Sequence, residues 1–89
     1  MEQTDSERLR KAILEVIHNQ VRDNDPPETG LTVKRLRQQG FSEEETLKLV
    51  GFVVASEVFG VLKENRPYEE ERYIAALKRL PKLPWDEEA

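Results

Sequence analysis

Four breakers cut this chain into helix-sized lengths, and they constrain its fold more than any other feature. They are Asn24-Asp25-Pro26-Pro27, Gln39-Gly40, Asn65-Arg66-Pro67 and Pro81. Between them, apolar residues recur at three- and four-residue intervals, the signature of amphipathic helices. Thr4-Asp5-Ser6-Glu7 matches a capping box ahead of Leu9, Ala12, Ile13, Val16, Ile17 and Val21. This first helix should stop by Asp23–Asp25, because a residue that precedes proline is pushed out of the helical region. Pro27 is placed to open a second helix at its first position. Leu31, Val33 and Leu36 carry its apolar side, and Gly40 suits a left-handed cap.

Phe41-Ser42-Glu43-Glu44-Glu45 is the clearest start signal in the chain. Ser42 caps, Glu45 completes the box and Phe41 begins a hydrophobic staple. Three glutamates in the first turn suit the positive end of the helix. Asn65-Arg66-Pro67 ends this helix, and a fourth follows with Tyr73, Ile74, Leu77 and Leu80 as its stripe. The pattern predicts helices over 4–23, 27–39, 42–64 and 69–80, and no sheet. The expected fold is all-α: a compact four-helix bundle-like domain over 1–80 with a long central third helix. The proline-spaced acidic tail over 81–89 is expected to be extended.

A chain of 89 residues is one domain. It can bury roughly 60–65% of its unfolded surface, enough for one modest core but not for a large lidded cleft. Charged residues make up 36% and apolar residues 37%, but the apolar ones cluster in stripes, which separates the chain from disorder. There is no internal repeat. A net charge of −4 and a pI near 5.1 argue against a nucleic-acid partner. With no cysteine there is no disulfide scaffold, Cys zinc site or thiol nucleophile. The longest strictly apolar run is Phe52-Val53-Val54-Ala55, so no membrane span is expected. The polar start MEQTDSERLRK does not read as a signal peptide, and a cytoplasmic location is expected.

The third helix carries the most information. On a wheel of about 100° per residue, Leu47, Val50, Val54, Val58, Val61 and Leu62 form one stripe. Leu49, Phe52, Ser56 and Phe59 form another on nearly the opposite side. A helix apolar on most of its circumference is usually buried. One reading makes it the central helix of the bundle, with the valine-rich stripe in the core. The other has Leu49, Phe52, Ser56 and Phe59 meeting a second copy or another protein. Gly51 and Gly60 interrupt the helix at a cost of about 1 kcal/mol each relative to Ala, which close helix approach would explain.

The candidates for chemistry are few. His18 is the only histidine, and the hydroxyls of Thr4, Ser6 and Ser42 fall where helix caps use them. The glycines are isolated and form no phosphate loop. Glu15 and His18 have the Glu-x-x-His spacing of di-iron bundles. On the wheel, however, they lie about 160° and 140° from the centre of the apolar arc, facing water. Glu57 falls among valines, where a carboxylate must be paired or have a raised pKa. Arg72 and Lys78 are its candidate partners.

The ordered residues His18-Asn19-Gln20, Asp25-Pro26-Pro27-Glu28, Arg35-Leu36, Gly40, Glu45, Gly51, Val54-Ala55, Glu57, Phe59 and Val61-Leu62-Lys63 continue into Pro67-Tyr68 and Tyr73-Ile74-Ala75-Ala76-Leu77. Together they resemble a family of small bacterial helical domains catalogued as a domain of unknown function. The resemblance spans roughly 14–80 and rests on scattered single residues. In those relatives the segment matching Glu44 to Lys48 tends to read His-Glu-Ala-x-His. With a histidine matching His18 and a glutamate matching Glu57, that segment would imply a metal cluster. Glu44 and Lys48 stand in the histidine positions here, so the set is incomplete. What the resemblance implies is a helical fold in a bacterial cytosol, and no reaction. Leu36, Gly40, Phe41 and Ser42 are also similar to the Gly-Phe loop of ubiquitin-associated three-helix modules. The helix after that loop is about half as long there, which leaves a shared capping solution.

The expectation is a non-enzymatic protein-interaction or self-association module with no cofactor and no metal. Its partner would be itself, as a homodimer, or another protein, met through Leu49, Phe52, Ser56 and Phe59. Nucleic acid and membrane are not expected partners. The alternative is a metal-binding or catalytic small helical protein that uses His18 and Glu57.

Overall fold

A computed structural model describes residues 4–86. It contains four helices, α1 (Asp5–Asp23), α2 (Pro27–Gln38), α3 (Glu43–Glu64) and α4 (Glu70–Arg79), and no strand among the described residues. The fold is an all-α, four-helix bundle-like domain whose long third helix is contacted by each of the other three. None of these helices is long and apolar enough to cross a membrane.

Local chemistry sets the helix ends. The Thr4 hydroxyl accepts from the Glu7 amide at 3.1 Å. Pro27 opens α2, where its missing N–H costs nothing. Gly40, at φ +101°, ends that helix in the left-handed region. There the Gly40 amide donates to the Arg37 carbonyl and the Phe41 amide to the Leu36 carbonyl. This bond pair satisfies two orphan carbonyls and turns Phe41 back onto the core. Ser42 and Glu45 complete a reciprocal box, with the Ser42 hydroxyl accepting from the Glu45 amide at 3.0 Å and the Glu45 carboxylate accepting from the Ser42 amide at 2.8 Å. That second bond holds the Glu45 carboxyl below its ordinary pKa. Asn24 and Asn65, at φ 53° and 51°, close α1 and α3.

The core gathers Ile17 from α1, Leu36 from α2, Val50, Val53 and Val54 from α3, Tyr73 and Leu77 from α4, and Leu80 just beyond it. The buried face of α3 differs from the expected stripe. It runs through Thr46, Val50, Gly51, Val53, Val54, Glu57 and Gly60, rotated by roughly 70° on the wheel. Val58 is 41% exposed and Leu62 74% exposed, so neither belongs to the core. The rotation has a simple cause: the centre of the buried face holds two polar residues, Thr46 and Glu57, and apolarity alone points away from them.

Gly51 is where α1 crosses α3. A Cβ added there would lie 3.3 Å from Ile13 Cγ2 and 4.0 Å from Ile17 Cδ1. Close helix approach therefore accounts for Gly51 but not for Gly60, whose missing side chain is replaced by the guanidinium of Arg66.

The tail over 81–86 is folded into turns rather than extended. The Lys82 amide donates to the Arg79 carbonyl, and the Asp86 amide to the Leu83 carbonyl. The Asp86 carboxylate accepts from the Leu83 amide at 2.9 Å, an intra-tail partner that an extended chain would lack. Leu83 packs against the core.

Val54→Ala should cost about 1–3 kcal/mol through lost burial and a residual gap. Val58→Ala should stay within about 0.5 kcal/mol, as an exposed substitution does. Urea melts of the pair check this, and equal losses would mean that Val58 is buried after all. Ser42→Ala should lose about 0.5–2 kcal/mol in the same assay, since it removes one arm of the capping box.

Candidate functional site

Because α1 crosses α3 at Gly51, the two helices diverge on either side and leave apolar flanks. The larger result is an open groove of about 1010 Å³ between the first half of α1 and one side of α3. Leu9 and Ile13 form one wall, with Leu47, Phe52 and Phe59 opposite. Phe52 is 43% exposed and Phe59 51% exposed. The tail adds Trp85, whose ring stands edge-on to Phe52 with centroids 5.7 Å apart and planes at 75°. Such edge-to-face pairs are worth about 0.5–1.5 kcal/mol beyond their buried area. At one end the apolar floor gives way to charge, with Glu43 and Glu44 from α3, Arg10 from α1, and Lys48.

Three of the four expected contact residues, Phe52, Ser56 and Phe59, line this groove. Leu49 does not; it turns toward the core and packs on it. The contribution of α1 was not foreseen, because Leu9 and Ile13 read as core positions in the periodicity of that helix.

A second, smaller groove of about 300 Å³ lies on the other flank of α3. Val58, Val61 and Leu62 line it, together with Val16 and Tyr68. Much of the valine-rich stripe expected in the core is therefore the wall of this groove. Its floor is a polar junction of three helices. The Gln20 carboxamide oxygen accepts from the Thr29 hydroxyl at 2.7 Å and from the Tyr73 hydroxyl at 2.8 Å. Burial pushes the Tyr73 hydroxyl above its ordinary pKa.

Glu57 is buried, and its partner is Arg72, one of the two cations expected for it. Arg72 Nε donates to both carboxylate oxygens, at 3.1 and 3.3 Å, and Nη2 donates to Oε1. The same guanidinium reaches Glu69 and the Pro67 carbonyl, each at 3.1 Å. The hydrogen bonds to Glu57 raise the Arg72 pKa above its ordinary value. Glu15 and His18 both lie on the exposed side of α1. Glu44 and Lys48, at the positions where the resembling family carries histidines, form an i,i+4 ion pair at 3.9 Å. Among the described residues, no three His, Cys, Asp or Glu side chains are grouped to hold a metal ion.

Comparison of the chain with protein-family models, with curated proteins and with solved structures gives no match.

Arg72→Met would leave the Glu57 carboxyl buried without a cation. A buried acceptor stripped of its donor costs about 1–3 kcal/mol, and more when it is charged. Arg72→Met should therefore destabilise the fold by about that amount, and urea melts against wild type measure it; a neutral change would deny the pair a part in stability.

Proposed function

We propose that this protein is a non-enzymatic helical module that associates with a second copy of itself or with another protein through the α1–α3 groove. The observation that carries this reading is the grouping of Phe52, Phe59 and Trp85, all more than two-fifths exposed, on one open apolar surface. Small soluble proteins seldom leave large contiguous apolar patches bare unless something covers them. Aromatic side chains of this kind are also the usual anchors of protein interfaces. The groove end carries both signs of charge, Glu43 and Glu44 beside Arg10 and Lys48, and so is compatible with its own two-fold mate.

In this reading the chain works in the cytoplasm, without a cofactor and without a reaction of its own. Its place would be with the small bacterial helical family that residues 14–80 resemble. The engagement of Glu57 with Arg72 supports a structural rather than a chemical role for that carboxylate. The acidic balance of the chain favours a protein partner over nucleic acid.

Sedimentation of the wild type and of a Phe52→Glu, Phe59→Glu double variant tests the proposal. The expected result is association of the wild type at high micromolar concentration, and a folded, dissociated variant. A wild type that stays monomeric directs the groove to another protein. A monomeric wild type together with an unfolded variant would place both rings in the internal core and overturn the proposal.

A further inference from the structure

The outer side of α3 has a spacing of its own. Lys48, Phe52, Ala55, Phe59 and Leu62 follow one another at intervals of four, three, four and three residues. That is the repeat of a coiled-coil seam, whose knobs and holes are sized for a second helix. On the wheel the five lie within about 80° of one another. Ala55 is half-buried and the other four are exposed. Leu62, at 74%, is the most exposed large apolar side chain among the described residues, and it lies beyond the α1–α3 groove.

The residues of the seam specify which helix fits it. Two copies of α3 can be set antiparallel about a two-fold axis that passes between positions 53 and 54. Phe52 of each copy then faces Ala55 of the other, a large side chain over a small one. In the same register Phe59 faces Lys48, whose long stem and ammonium suit an aromatic face. Lys48 is free to take that place, because its contact with Glu44 at 3.9 Å is an exposed pair of little energetic weight. Lys63, exposed in the last turn, comes level with Glu44 and Glu45 in the first turn of the other α3. The opposed helix dipoles add to that charge match. A parallel pair would instead stack Lys48 on Lys48, Glu44 on Glu44 and Lys63 on Lys63. One register therefore satisfies size and charge together, and the reverse orientation fails on charge.

We infer that the occupant of this face is a second copy of the chain, with α3 packed antiparallel on α3, each Phe52 seated on the other copy's Ala55 and Leu62 drawn out of water at both ends. This inference rests on the proposed use of the groove for association, and it adds the partner, the orientation and the register.

The chain has no cysteine, so single cysteines report the orientation directly. Glu44→Cys and Lys63→Cys are prepared separately, and each alone and their mixture are treated with a short bismaleimide. In the antiparallel register the two different cysteines stand level, whereas identical ones lie about 28 Å apart along the helix axis. The expected result is a cross-linked dimer in the mixture and none in either variant alone. Leu62→Glu should weaken association in sedimentation by about tenfold or more with the helical spectrum unchanged, since a carboxylate in an apolar seam costs at least that much. Should that variant lose its helical spectrum, the cross-linking decides alone. A wild type that stays monomeric at high micromolar concentration overturns this inference and leaves the groove to another protein. A dimer that cross-links within the unmixed samples, a dimer that cross-links in no sample, or wild-type association of a folded Leu62→Glu overturns the antiparallel seam while association itself stands.

Discussion

The approach of α1 to α3 at Gly51 is the contact around which the molecule is arranged. With no side chain in the way, Ile13 and Ile17 rest on the α3 backbone near its midpoint. A helix of 22 residues that is apolar over most of its circumference needs cover on all sides. Its neighbours have 19, 12 and 10 residues and together cannot supply it. Placing α1 against the middle of α3 buries one face well and leaves an apolar strip on each flank. Both grooves are consequences of that one crossing.

Directional polar ties then fix the rotation of the helices around a core of eight buried apolar side chains among the described residues. Gln20 joins α1 to α2 and α4 through two hydroxyls. Arg35 reaches from α2 to the end of α4, donating to the Leu80 carbonyl at 2.8 Å and the Leu77 carbonyl at 3.1 Å. It thereby satisfies carbonyls that a helix end leaves orphaned. Arg72 ties α4 to α3 through Glu57. Apolar contacts tolerate sliding, whereas these bonds fail within fractions of an ångström.

Helix ends were legible because their chemistry is local. Thr4, Ser42 with Glu45, and Gly40 act within a few residues of themselves, and each predicted boundary falls within one residue of the observed one. The pairing of Glu57 was legible because a carboxylate among valines demands a cation, and Arg72 lies on the next helix. The rotation of α3 was not, since periodicity weighs side chains by apolarity and cannot foresee that Thr46 and Glu57 take the centre. Gly60 was misread for a related reason. A glycine in a helix announces a close approach without saying what approaches, and here it is an arginine from the following loop. The candidate groove was legible on α3, in Phe52, Ser56 and Phe59. Its opposite wall depends on the crossing geometry, which no single helix encodes.

Trp85 is the sole tryptophan of the chain, and it sits at the lip of the larger groove against Phe52. It is 56% exposed, so its indole is partly in water and partly against an aromatic edge. Indole emission shifts with the polarity around the ring. The protein thus carries an intrinsic optical probe at the groove mouth, with no competing indole elsewhere.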